Sequence, residues 1–454
     1  MTSRKRWRGE RAAAAILLAA GGLGGCTGAD RSGSVTILAP WADDRQFDAN
    51  AADEADAFKK VLARFEEDTG IRVTYQGTRD VSEVLRSSVR RGSPPDVAVL
   101  PRLNDLMQHA RDGKVLPLDP ADHLDAQPSQ LVQFDVGKGM TVYGVSITTR
   151  VKSLIWYNPD RIGISPPATW QELTDLVEAI DTDSSAGVPW CMGMASPPLS
   201  GWPGTDWIED ILLHQAGART YEQWAAGKVR WTDPAVRNAW REWHRIAPPD
   251  RRTDTALLTS FWDAGLAMFD DPPSCYLDHQ ASFIYGSYRA SWESGPTPRR
   301  PSRVAFFPVP TDERRLQNTG QLLEVSDNVA AVFNTESPSA RKLVNYLTSR
   351  EAQKTWREAS EDQMFALRDD TNHSDYTDEV GRKIAETLTT STVCRDASDL
   401  MPTPMTTAFQ RAALEYLHQP ERLDELLDEL EKVRAGLPAD DWLTLSCVGV
   451  GPTR

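Results

Sequence analysis

The stretch from Ser34 to Leu100 restricts the fold more than any other part of the chain, because it alternates β-rich runs with helix-patterned ones. Ser34-Val35-Thr36-Ile37-Leu38-Ala39 is a strand that ends at the polar turn Pro40-Trp41-Ala42-Asp43-Asp44. Phe58, Val61, Leu62 and Phe65 recur at helical spacing opposite Lys59, Lys60, Glu66 and Glu67, and Gly70 closes that helix. Ile71 to Tyr75 alternates as a second strand, followed by the loop Gln76-Gly77-Thr78-Arg79-Asp80. Val81 to Arg90 is helix-like, Pro94-Pro95 breaks it, and Asp96 to Leu100 is a buried strand. A β-α-β-α-β order predicts an α/β fold with a largely parallel sheet. Ligands of such sheets sit beyond the carboxyl ends of strands, where Trp41, Asp43, Asp44, Arg79, Asp80 and Pro101 fall.

Further along, Met140 to Ile147 and Leu154 to Tyr157 are strand-like, and the polar Thr148-Thr149-Arg150-Val151-Lys152 between them reads as a crossover between lobes. Trp170 to Ile180 is an amphipathic helix, with Thr169 and Glu172 forming a capping pair. Ser200 to Asp210 puts two indoles and three carboxylates among Pro and Gly, a loop composed for contact that leads into a helix from about Trp207 to Gln215. Trp224, Trp231, Trp240 and Trp243 are mostly core. Asp270 to Tyr276 is a Pro-stiffened turn, and Val304 to Val309 a strand. Ser326-Asp327-Asn328, before the strand Val329 to Phe333, is the return crossover. Helices follow over Ser339 to Leu347 and Glu351 to Glu358. Ser398-Asp399-Leu400-Met401-Pro402 then precedes a helix through Tyr416 and another through Arg434.

A chain of 454 residues exceeds one typical core, so two domains or one bilobed unit is expected. Arg4, Lys5, Arg6, Arg8 and Arg11 precede the small-residue apolar run Ala12 to Gly25, which is too short to span a bilayer comfortably and reads as a targeting signal. It ends in Leu23-Gly24-Gly25-Cys26, which resembles the lipobox of bacterial lipoproteins, where cleavage before the Cys is coupled to lipidation of its sulfur. Residues 27–34 form a polar tether. Losing residues 1–25 removes five basic residues and one acidic residue and moves the net charge from −15 to −19. So acidic a protein repels nucleic acid and anionic membrane surfaces and suits a neutral ligand. Beyond Cys26 stand Cys191, Cys275, Cys394 and Cys447, an even number for an exported protein. None is spaced for a metal, so no metal or cofactor is expected. Three pairings are open. Cys191 with Cys275, which flank aromatic, Pro-rich loops placed around one cleft, and Cys394 with Cys447 are favoured. No HExxH, P-loop or GxSxG pattern is present.

With these loops identified, the chain resembles an extracellular solute-binding lipoprotein of a carbohydrate ABC importer, closest to α-glucoside and oligosaccharide binders. The resemblance rests on Lys152 to Pro159, Pro189 to Gly193, Ser200 to Leu212, Asp271 to Leu277 and Ser398 to Pro402, which occur in family order across nearly the whole mature chain. It implies a two-lobed periplasmic-binding-protein-like fold of type II, with discontinuous lobes and a ligand cleft between them. The implied parts are a signal peptide over 1–25, a lipid-anchored tether over 26–33, a first lobe over 34–147 plus 327–368, crossovers at 148–152 and about 326, a second lobe over 153–325 plus 396–436, and a tail over 437–454. The chain also departs from the pattern. Phe409 is followed by Gln410 where relatives carry a Phe-Trp pair, Arg150 stands where a smaller neutral group is usual and could favour an acidic ligand, and Cys394 and Cys447 lie outside the pattern.

The candidate ligand-binding residues each have a bland alternative. Trp41 is either a stacking platform or a core indole, and Asp43 and Asp44 face either the cleft or solvent. Trp202, between Gly201 and Pro203, has no amphipathic helix to bury it and is assigned to stacking; Trp207, in phase with Ile211, is assigned to the core. Asp206 is either a ligand acceptor or an N-cap. Tyr276, beside Cys275, stacks or donates its hydroxyl, and Asp399 caps a helix or accepts from a sugar. Arg79, Asp80, Lys152 and Asp327 complete the set. The implied function is capture without chemistry: closure around a sugar, then delivery to permease subunits by a monomer held to the membrane only by its lipid. The alternatives are a lipid-anchored glycosidase, which would also combine aromatics with paired carboxylates, and a sensory or adhesive surface lipoprotein of the same fold.

Overall fold

A computed structural model describes residues 33–43, 49–119, 125–182, 187–197, 200–248, 253–294, 303–311, 321–333, 337–368 and 370–449. Cys26 and Asp44 lie outside these residues. β1 (Ser34–Ala39) runs parallel to both its neighbours, β2 (Arg72–Gly77) and β3 (Val97–Leu100), as the alternating order requires. The Ala49–Thr69 helix connects β1 to β2, buries Phe58, Val61, Leu62 and Phe65, and ends at Gly70, whose φ of 70° suits a residue without a side chain.

Beyond β3 the sheet is mixed rather than largely parallel. β10 (Leu322–Val332) pairs antiparallel with β3 and with β5 (Met140–Val151), and β5 pairs antiparallel with β4 (Leu131–Asp135). The first residues of β10 pair parallel with β11 (Thr392–Arg395), whose other edge carries β12 (Val448–Gly449). β5 has 12 residues, about 40 Å of extended chain, and β10 has 11. These two strands therefore leave the parallel core and reach the second sheet.

That second sheet has the order β7-β8-β6-β9, built from β6 (Leu154–Tyr157), β7 (Val188–Trp190), β8 (Cys275–His279) and β9 (Ala305–Pro308). The polar 148–152 stretch, expected as a linker, is mostly strand. Thr148 and Thr149 are fully buried, and their hydroxyls are satisfied across the ladder by Asn328 Nδ2 at 3.0 Å and Asp327 Oδ1 at 2.6 Å. Polar composition concealed a buried strand because side-chain bonds replace water there.

Both favoured disulfides form. Cys191–Cys275 ties the end of β7 to β8, and Cys394–Cys447 ties β11 to the segment entering β12. Residues 437–449 are thus fastened rather than a tail: Leu443 is buried, Trp442 lies against Gly227, and the Asp441 carboxylate accepts from Arg111 Nη1 at 2.7 Å. The Trp-rich segment is core, as expected. Phe409, on the Thr403–His418 helix, is fully buried with its ring 4.7 Å from Trp231, 5.6 Å from Trp224 and 5.8 Å from Trp240. Phe409→Ala should open a cavity and cost about 3–5 kcal/mol, measured as a fall in the denaturant midpoint followed by indole fluorescence.

Candidate ligand cleft

The Trp202–Ala216 helix reaches a cavity at its first residue and a buried charge network one turn later. It begins five residues earlier than its sequence implies. Gly201 has a φ of 103°, and a Cβ there would come within 2.6 Å of the Gln410 carbonyl, so only glycine lets the chain enter beside the Thr403–His418 helix. Pro203 lies in the first turn, where its missing N–H costs nothing. Every residue from Pro203 to His214 is buried. What resembles a contact loop is thus a central helix whose punctuation belongs to its start.

Trp202 itself is half-buried and meets Phe261 edge-on at 4.7 Å and Phe283 at 6.0 Å; Trp262 lies 5.1 Å from Phe283. These rings face Trp41, which follows β1 and is held by Phe58 at 4.7 Å and Trp356 at 5.1 Å, its carbonyl accepting from the Tyr75 hydroxyl. Between the two groups lies a cavity of about 260 Å³, with Arg79, Arg150 and Asn328 also on its lining. A second, more polar cavity of about 340 Å³ shares Trp41, Glu54, Arg150, Trp262 and Phe283 with the first and continues past Lys60, Arg289 and Gln363. The Arg150 guanidinium bonds Glu54 and lies 3.4 Å from the Gln363 carbonyl. Its charge is therefore neutralised where the cavities join. The buried Trp262 Nε1–H has no acceptor among the described residues. Flat apolar rings beside fixed donors and acceptors are what a hydroxylated ring needs.

Of the sequence candidates, Trp41, Trp202 and Arg79 line this space. Asp43 is exposed and bonds Lys59 at 2.8 Å, and Asp80 is exposed at the start of the Val81–Arg90 helix. Tyr276 lines neither cavity, and the Cys191–Cys275 disulfide borders a separate hollow of about 310 Å³ instead of this space. Sequence reasoning missed Glu54, Phe261, Trp262, Phe283 and Trp356. The adjacent pair Phe261-Trp262 was the available signal: Ser260 caps a helix of only four residues there, too short to bury both rings on one face.

Four remaining candidates form a buried network under the place where β5 and β10 cross. Lys152 Nζ bonds Asp206 Oδ1 at 2.8 Å and also bonds Asp396, and it lies 5.7 Å from the Trp202 ring centroid. Asp206 is thus not the cap, which is Gly201; its carboxylate bonds Lys152 and lines neither cavity. Asp327 accepts from Thr149 and from Arg395 Nε at 2.8 Å, and Asp399 accepts from Ser326 Oγ at 2.8 Å. Asp396 is the true cap of the Ala397–Leu400 helix, accepting from the Asp399 N–H at 2.9 Å. Glu209 takes the Ala397 and Ser398 N–H groups at 2.7 and 3.2 Å, and Asp210 bonds Ser153 and His279, the latter at 2.7 Å.

Burial disfavours every charge here, and the partners decide which survive. Burial pushes Asp206 up to about 6 despite Lys152. Burial alone would raise Asp210 and Asp396, yet His214 and His279 hold Asp210, and Lys152 holds Asp396, below the usual carboxylate range. Burial would lower Lys152, but Asp206 and Asp396 raise it well above the usual ammonium value.

The profile described as bacterial extracellular solute-binding protein matches residues 51–354. The osmoprotective compounds-binding protein GgtB of Synechocystis sp. is 33% identical over 390 residues, 83% of this chain and 87% of the relative. The alpha-glucosides-binding periplasmic protein AglE of Rhizobium meliloti is 31% identical over 386 residues, covering 81% and 80%. Among solved structures, the bacterial solute receptor AcbH, described as preferring β-D-galactopyranose exclusively, superposes with a TM-score of 0.69 at 18% identity over 89% of this chain and 97% of that one. A chitin oligosaccharide binding protein gives 0.69 at 17% over 89% and 99%. These similarities give the fold as the two-lobed architecture of periplasmic sugar-binding proteins. Among the described residues no helix is long and apolar enough to cross a membrane.

Removing the ammonium between Asp206 and Asp396 strands two buried carboxylates. Lys152→Met should lower unfolding free energy by about 3–5 kcal/mol in urea titration at neutral pH.

Proposed function

Because the chain belongs to the family of bacterial extracellular solute-binding proteins, which bind solutes without transforming them, we propose that it captures a neutral sugar or short oligosaccharide, α-glucoside-like, and passes it to the permease of an ABC importer. The observation that carries this reading is the aromatic cavity in which Trp41, beside the first sheet, faces Trp202, Trp262 and Phe283, beside the second. Ligand buried there would be stacked from both sides, and closure of the lobes about β5 and β10 would seal it. In this reading the first lobe is 34–147 with 327–368 and the second 153–325 with 396–436.

The charge pattern supports a neutral ligand. Arg150 is bonded to Glu54 and Arg289 to Glu361, so neither guanidinium in the polar cavity stands as an unbalanced cation, which does not favour the acidic substituent that Arg150 alone would invite. Two adjoining cavities also give room for more than one ring, in keeping with the α-glucosides named for one relative and the osmoprotective compounds named for the other. Cys26 is the proposed lipid attachment, and the permease subunits the proposed partners.

A thermal-shift screen of monosaccharides, α-linked disaccharides and longer saccharides tests the reading, since a ligand of the folded state raises the midpoint. No shift with any saccharide would overturn it. Trp202→Ala should weaken the best saccharide by more than about tenfold in calorimetry, and an unchanged affinity would remove Trp202 from the site.

A further inference from the structure

The network beneath the strand crossing holds more carboxylates than its cations can balance. Glu324, on β10, is fully buried, and neither of its carboxylate oxygens has a hydrogen-bond partner among the described residues. Oxygens of Glu324, Asp206 and Asp396 lie within 4.8 Å of one another, and Lys152 Nζ bonds the latter two and not Glu324. The groups around Glu324 come from several elements, among them β11, which pairs with β10 at Glu324 itself and carries Arg395, committed to Asp327. The turn after β5 brings Lys152 and Ser153, the Trp202–Ala216 helix brings Asp206, Glu209, Asp210 and His214, β8 brings His279, the Ala397–Leu400 region brings Asp396 and Asp399, and the Ala218–Ala225 helix brings Tyr221. His279 and His214 serve Asp210, which leaves one ammonium for Asp206, Glu209, Glu324 and Asp396.

We propose that Glu324 is a proton-binding site of the crossing, occupied in this conformation, and that closure around ligand changes its occupancy. A buried carboxylate with no donor is an arrangement folded proteins avoid, whereas the neutral acid needs one acceptor, and Asp206 and Asp396 supply oxygens nearby. Burial raises Glu324 well above the usual carboxylate value, and the charges of Glu209, Asp210 and Asp396 raise it further while Lys152 opposes them.

The backbone ties this proton to the crossing. The Glu324 carbonyl accepts from the Lys152 N–H at 2.8 Å, and the Glu324 N–H donates to Ser153 Oγ at 2.7 Å. Lys152 is the residue whose ammonium lies beneath Trp202. Any shift of β10 against β5 alters the spacing of Glu324 from Lys152. A closer approach releases the proton, and a wider one retains it. The coupling to ligand rests on the sugar-binding reading above; the bound proton does not.

Three measurements on wild type and Glu324→Gln, a neutral isostere, test the proposal. Infrared spectra at neutral pH should show a protonated-carboxyl component in wild type that the variant lacks, and identical spectra overturn the proposal. Because the folded-state affinity for the proton exceeds that of the unfolded chain, the stabilisation it gives is present at low pH and is lost as pH rises towards the folded value. The variant should therefore match wild type near pH 4, below the unfolded-state value, and melt at a higher temperature near pH 8. A variant whose melting temperature differs from wild type by the same margin at both pH values shows that Glu324 takes up no proton on folding and overturns the proposal. In calorimetry with the saccharide found by screening, the wild-type binding heat should vary with buffer ionisation enthalpy and the variant's should not; a buffer-independent wild-type heat overturns the coupling. Absence of any saccharide binding would defeat the sugar reading alone, since the infrared and melting comparisons need no ligand.

Discussion

The ammonium of Lys152, buried between Asp206 and Asp396, is the contact on which the rest of the molecule depends. It joins three segments far apart in sequence: the end of β5, the central Trp202–Ala216 helix and the cap that starts the Ala397–Leu400 helix. Such pairs seldom exceed the stability of an apolar substitute, because desolvating the charges offsets most of their attraction. What they do impose is a condition. Once Lys152 is taken out of water, only an arrangement that brings both carboxylates to it is acceptable. The path of β5 into β6 therefore fixes where the central helix and the Asp396 turn must sit.

Cleft geometry follows from that anchoring. Trp202 and Phe261 are the first residues of helices whose preceding residues, Gly201 and Ser260, are set by a left-handed backbone and a side-chain cap respectively. Trp41 follows a parallel strand and is wedged against Phe58 and Trp356. None of these rings depends on a long mobile loop for its orientation. A ligand that stacks on them loses its own freedom on binding but does not have to order the protein, which conserves affinity.

The alternation over 34–100 made the parallel core legible, since period-2 and period-3.6 patterns survive burial on one face. It did not reveal the antiparallel additions, because β5 and β10 carry Thr, Ser, Asp and Asn at buried positions and imitate a linker. Trp202 was singled out from its place between Gly201 and Pro203 and lines the cavity; Trp41, left open between platform and core indole, borders the same cavity while packed almost fully into the core of the first sheet. Phe261, Trp262 and Phe283 were not, because the sequence does not show which short helices converge. Lys152, Asp206, Asp327 and Asp399 were read as ligand-binding groups, whereas the structure pairs them with protein partners, and the reason for the difference is physical. A charge placed to bind a ligand and a charge placed to bind another buried charge have the same composition, and only the partner distinguishes them.

The Trp202–Ala216 helix unites these two outcomes. Trp202 lines the cleft, Asp206 lies about one turn further on, and Glu209 and Asp210 about one turn beyond that, all in a helix too thoroughly buried to flex independently. A force on the Trp202 ring is therefore delivered to Lys152 both through the helix and directly across 5.7 Å. Glu324, Lys152 and Ser153 in turn share backbone bonds at the crossing. The cavity lining and the paired strands β5 and β10 thus meet at Lys152, and the charge balance there is set by residues that do not line the cavity.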